Sequence, residues 1–92
     1  MTDTITPPIR ALTLAEEVTL TRLPAPHIRR AIRDAANVSL RRLAREIRVS
    51  HGSIAYYERG GQPGTEIAIR YREQLERLAS AVGFNIPVDT QT

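Results

Sequence analysis

The groups in this chain with the means to do chemistry are mainly arginines. All 13 basic residues are Arg, and nine of them fall within residues 22–59. Only Asp34, Glu46 and Glu58 oppose them there, so the segment carries +6, whereas residues 1–21 carry −2 and residues 60–92 carry −1. Positive charge concentrated in this way suits a polyanionic partner. A solvated Arg-rich helical surface explains the charge equally well, and charge alone does not separate the two. Catalytic constellations are missing from the sequence. With no cysteine, thiol nucleophiles, disulfides and Cys-based zinc sites drop out together. His27 and His51 lack companion metal ligands. The run Gly60-Gly61-Gln62-Pro63-Gly64 lacks the Lys-Ser/Thr of a phosphate-cradling loop and reads as a connector. No carboxylate pair or nucleophile triad stands out, so the expectation is a protein that is not an enzyme, with no cofactor and no metal. Aromatic residues are 4% of the chain, too few for a platform that stacks single-stranded bases.

Such charges need helices to position them. Thr13-Leu14-Ala15-Glu16 has capping-box spacing and opens a helix to about Arg22, with Leu14 and Val18 one turn apart. The alternation Val18-Thr19-Leu20-Thr21 also fits a strand, so both conformations stay open. Leu23-Pro24-Ala25-Pro26 interrupts the chain, and Pro26 suits the first turn of a helix over 26–36. Ile28, Ala31, Ile32 and Ala35 give that helix its apolar face; Arg29, Arg30 and Asp34 lie opposite. Asn37 suits a left-handed terminator. Ser39 caps a helix over 40–47 with apolar Leu40, Leu43, Ala44 and Ile47, and Ser50 caps another over about 51–58. Thr65 caps a long helix over 66–82, where Ile67, Tyr71, Leu75, Leu78 and Val82 form a stripe and Gly83 ends it.

At 92 residues and 10.3 kDa, the chain has room for one small domain and tails. The expected organisation is a flexible tail over 1–10, an all-α domain over 11–83 and a second flexible tail over 84–92. The domain is a compact bundle of about five helices around a central helix-turn-helix unit at about 40–58. No signal peptide or membrane-length apolar run is visible, so the expected location is cytoplasmic, with no membrane partner and no small-molecule ligand.

Residues 40–57 hold two short helices joined by a three-residue turn. Ala44 is small where they cross, Val49 is apolar after the turn, and Ile54 is β-branched ten residues beyond Ala44. Residues 28–60 resemble the lambda-repressor/Cro (XRE) family of helix-turn-helix DNA-binding domains. The resemblance rests on Ile32-Arg33, Val38-Ser39-Leu40-Arg41-Arg42-Leu43-Ala44, Val49-Ser50-His51-Gly52-Ser53-Ile54 and Tyr57-Glu58-Arg59-Gly60. The stretches around Leu23–Pro26 and Ala68–Tyr71 are similar to small actinobacterial and phage members.

The resemblance implies a sequence-specific regulator of double-stranded DNA, of repressor or Cro type, homodimeric at least on DNA. A protein-interaction module on the same fold, such as an antitoxin or a recombination accessory factor, is the alternative. The resemblance also implies that the helix over 51–58 enters the major groove, with Ser50, His51, Gly52 and Tyr56 at base edges. Phosphate contacts fall to Ser39, Arg41, Arg42, Ser53, Arg59, Gly61 and Gln62, with amides of 39–41 and 60–62 adding donors. Arg33 and Glu58 pair structurally across helices. Arg29, Arg30 and Arg45 read as a solvated face, and Arg70, Arg72 and Arg77 as a salt-bridged surface. Three departures are evident, of which Asn37, in place of the usual Gly between the first two helices, tolerates the same backbone. Arg48 stands where the family usually has Gly, so the turn is expected to tighten or reshape. Leu40 stands where a phosphate-touching Gln often opens the helix. The dimer surface is expected on the last helix, with Leu12–Val18 as its rival.

Overall fold

The computed structural model describes residues 12–87 as five α-helices: α1 Leu14–Thr21, α2 Pro26–Ala35, α3 Leu40–Ile47, α4 His51–Glu58 and α5 Thr65–Val82. The expected tail over 1–10 and residues 88–92 of the other tail lie outside the described residues. Residues 84–87 follow α5 without regular structure.

Local chemistry opens each helix. Thr13 accepts from the Glu16 amide while Glu16 accepts from the Thr13 amide, a complete capping box. This satisfies otherwise orphaned donors and selects helix over strand for α1. Pro26 starts α2 without a side-chain cap. The Ser39 and Ser50 hydroxyls accept from the amides of Arg42 and Ser53. Thr65 does not cap α5; it is the first helical residue, and Gly64 precedes it.

The ends of α2 to α5 follow one pattern. The amides of Val38, Val49, Gly61 and Phe84 each reach back to the carbonyl five residues earlier. The residue before each has positive φ: Asn37 (57°), Arg48 (63°), Gly60 (109°) and Gly83 (70°). Arg48 therefore enters the left-handed region itself, and the turn keeps the backbone that glycine would give it instead of being reshaped. That conformation costs a side-chain-bearing residue about 1 kcal/mol. Arg48→Gly is expected to raise the melting temperature by about 4–8 °C, the shift for about 1 kcal/mol in a domain of this size. A lower melting temperature would show that the Arg48 side chain contributes more than its backbone strain costs.

Among the described residues, the largest fully buried side chains are Ile32, Leu43, Ile47, Ile54, Tyr71 and Leu75, so α2, α3, α4 and α5 share one core. Ala44 and Ala79 are buried beside them, small enough for close helix approach. The long α5 is the spine, packing on α1, α2 and α3, while α4 packs on α2 and α3. Two expected faces rotate. Ala35 is exposed, and Arg29 is buried with Ile32 instead of standing in solvent. On α5 the buried row is Ala68, Tyr71, Leu75 and Ala79, while Val82 is exposed. Crossing helices above the stripe draw its small residues inward and leave Ile67 and Leu78 at its margin.

Candidate nucleic-acid interface

Helix α4 begins at the surface. Ser50, His51 and Gly52 are exposed, and Ser53 is half-buried. The Ser50 oxygen accepts the Ser53 amide at 3.1 Å and lies 3.0 Å from the Ser53 hydroxyl. Both serines thus help close the first turn of α4. At Gly52 the space for a Cβ meets only the Ser50 hydroxyl, at 3.8 Å. The bare backbone there leaves room for a close approach by another molecule.

Tyr56 lies one turn on from Gly52 and is 52% exposed. Its ring lies against Gly61, where a Cβ would overlap it. Arg41, Arg42, Arg45 and Arg48 are all exposed along α3 and its turn, and Arg59 is exposed at the end of α4. Arg42 reaches Glu46 at 3.6 Å across an exposed helix face, a contact worth little in water. These guanidinium groups and His51 cover one continuous stretch of sequence, from α3 into α4.

The amide donors divide unevenly. At α3 the Arg42 amide is spent on the Ser39 hydroxyl, which keeps an O–H to donate outward. Leu40 and Arg41 contribute the first-turn amides, which have no partner within the helix. The loop after α4 differs from expectation. The Gly60 amide donates to Tyr57 and the Gly61 amide to Tyr56, at 3.1 and 2.9 Å. Both close the end of α4, so neither is available to a phosphate. Gln62 is exposed and offers its side chain.

Beneath this surface, Arg33 joins α2 to α4. Its Nε and Nη2 donate to the two Glu58 carboxylate oxygens at 2.6 and 2.9 Å, and its Nη1 donates to the Val38 carbonyl at 2.9 Å. The hydrogen bond with Glu58 holds the Arg33 pKa above its ordinary value against the opposing effect of burial. The arrangement ties the end of the exposed helix to the turn that leads into α3.

Sequence reasoning missed two arginines. Arg29 is only 5% exposed, and donates from Nε to Pro24 at 2.8 Å and from Nη1 to Tyr57 at 2.9 Å, both carbonyls. Its guanidinium carbon stands 5.9 Å from the centre of the Tyr71 ring. Burial lowers its pKa, partly offset by Tyr71. The three-residue step from Arg29 to the buried Ile32 was the available signal. Arg70 donates to the Ile47 carbonyl at 3.1 Å, closing the end of α3 from α5. No spacing within either helix reveals that bond. The Tyr71 hydroxyl is buried without a hydrogen-bond partner among the described residues. Burial pushes its pKa up, and nearby Glu58 adds to the shift.

Among the described residues, no helix is long and apolar enough to cross a membrane, and no cluster of three or more His, Asp or Glu side chains could hold a metal. A family model described as helix-turn-helix (HTH_3) matches residues 30–86, which span α3, α4, α5 and most of α2. No curated protein and no solved structure matches the chain.

Proposed function

Because the chain belongs to the lambda-repressor-like (XRE) helix-turn-helix family of DNA-binding regulators, we propose that it is a sequence-specific regulator of repressor or Cro type. It lays α4 in the major groove of double-stranded DNA and works where that DNA is, in the cytoplasm or nucleoid. The observation that carries this reading is the exposed start of α4, flanked by the exposed arginines of α3 and its turn. Ser50, His51, Gly52 and Tyr56 are the base-edge candidates. Ser39, Arg41, Arg42, Ser53, Arg59 and Gln62 are the backbone candidates, assisted by the amides of Leu40 and Arg41. Gly61 supports Tyr56 in this scheme and does not contact phosphate with its amide. Selection from a random duplex pool tests the reading. Enrichment of a defined site is expected; a pool that stays random at moderate salt would overturn it.

One recognition helix covers few base pairs, so the proposal includes a second copy on the same site. Two-fold pairing places the recognition helices about 34 Å apart, one turn of the duplex. The face that supports pairing is on α1. The apolar row of α5 is largely spent in the core, but Leu14 is 79% exposed and Val18, one turn on, is 52% exposed. Exposed apolar residues so spaced on one helix suit a matching copy of themselves. The double variant Leu14→Glu, Val18→Glu is expected to keep its fold, because neither side chain is in the core. It should bind the selected site as single copies, with cooperativity lost. Sedimentation with and without duplex reads the copy number. A single wild-type copy at saturation, on a site lacking two-fold symmetry, would overturn the pairing.

A further inference from the structure

Between the end of α1, the connection to α2 and the loop after α4 lies a cavity of about 210 Å³, lined by Val18, Thr21, Arg22, Leu23, Arg29 and Gln62. Arg29 contributes a guanidinium with an unusual set of partners. It has five N–H donors, and its hydrogen bonds go to two backbone carbonyls, Pro24 and Tyr57. Its other contact is the face of the Tyr71 ring. Among the described residues, no carboxylate lies within ion-pairing distance of it, although Arg33, Arg42, Arg70 and Arg72 each have one. A buried cation held only by neutral groups is costly unless a counter-charge reaches it. Gln62 adds side-chain amide donors to the cavity lining.

We infer that this cavity is an oxyanion site that takes a phosphate-class group, with Arg29 supplying charge and fork-shaped donors from within and Gln62 closing over it. Guanidinium geometry matches two oxygens of such a group. The volume lies below the roughly 300 Å³ at which pockets for drug-sized organic ligands begin. The occupant is therefore a single compact anion and not an organic effector. That phosphate belongs either to the backbone of bound DNA or to a free ion, since Gln62 follows directly on the loop that ends α4.

The test needs no DNA, so it stands or fails separately from the proposed regulator function. Labelled full-length protein is titrated with inorganic phosphate against chloride at constant ionic strength. Saturable shifts are expected at the Gln62 side-chain amide and the Arg29 Nη–H groups, together with a melting temperature that rises with phosphate. Gln62→Glu, at an exposed position that tolerates the change, is expected to weaken phosphate binding about tenfold through one like charge near contact. Arg29→Met should abolish it, and the Glu variant covers the case in which the Met variant fails to fold. Adding the selected duplex then identifies the source. Displacement of free phosphate assigns the site to the DNA backbone, and persistence of the shifts assigns it to a free ion. Shifts absent at both residues, or linear and spread over the surface arginines, would overturn the site.

Discussion

Glu58→Gln is expected to lower the melting temperature by about 12–24 °C while leaving the preferred DNA sequence of the folded fraction unchanged. Both side chains of the pair are largely covered, 11% exposed for Arg33 and 8% for Glu58. Removing one partner of a buried pair costs about 3 kcal/mol or more, because the remaining charge stays desolvated. In a domain of this size each 1 kcal/mol moves the midpoint by about 4–8 °C. The geometry sharpens the expectation. The two carboxylate oxygens receive Nε and Nη2 in parallel, and a neutral amide offers only one acceptor oxygen to that fork. Arg33 also holds the Val38 carbonyl at the turn into α3, so its loss should loosen the entry to the helix-turn-helix. Thermal melts followed by circular dichroism check this, with binding measured well below the midpoint. An unchanged midpoint with DNA binding lost would instead assign Glu58 to the interface.

His51→Ala and Arg59→Ala are expected to separate sequence reading from sequence-independent affinity. His51 is exposed at the start of α4, where a groove-bound helix meets base edges. Its loss should cost roughly 1–3 kcal/mol on the selected site and relax preference at one base position. Arg59 is exposed at the other end of the helix, where the chain turns into the Gly60–Gln62 loop. A contact there releases counterions and carries no base information. Arg59→Ala should weaken all duplexes alike and reduce the slope of log affinity against log salt by about one. Fluorescence anisotropy on the selected duplex and its single-base variants, at several salt concentrations, reads both quantities. If Arg59→Ala changed the preferred sequence and His51→Ala did not, the two roles would be exchanged.

The helix-turn-helix was legible because its signals are short-range. Ser39 and Ser50 sit three residues before the amides they cap, and Leu43, Ala44 and Ile47 repeat at helical spacing. The pairing of Arg33 with Glu58 spans 25 residues, yet it could be anticipated because the resemblance supplied the two positions together. The candidate DNA surface was less legible. Gly60 and Gly61 suit a helix end and a phosphate-binding loop alike, and the closure of α4 takes both amides. Gly61 instead accommodates the Tyr56 ring, a contact visible only once the loop folds back.

The sequence by itself determined the helices α2 to α5, the serine caps of α3 and α4, the left-handed ends at Asn37 and Gly83, and the order in which two short helices form a helix-turn-helix unit. Capping bonds and apolar periodicity act within one or two turns, so residue type and spacing specify them. The tertiary structure alone decided which face of each helix is covered. It buried Arg29 against a carbonyl 28 residues away and drew Ala68 and Ala79 of α5 inward. It left Leu14 and Val18 of α1 outside, and it enclosed the Tyr71 hydroxyl without a partner. Burial depends on which distant helix lies overhead, and a buried donor is satisfied by whatever acceptor that packing supplies.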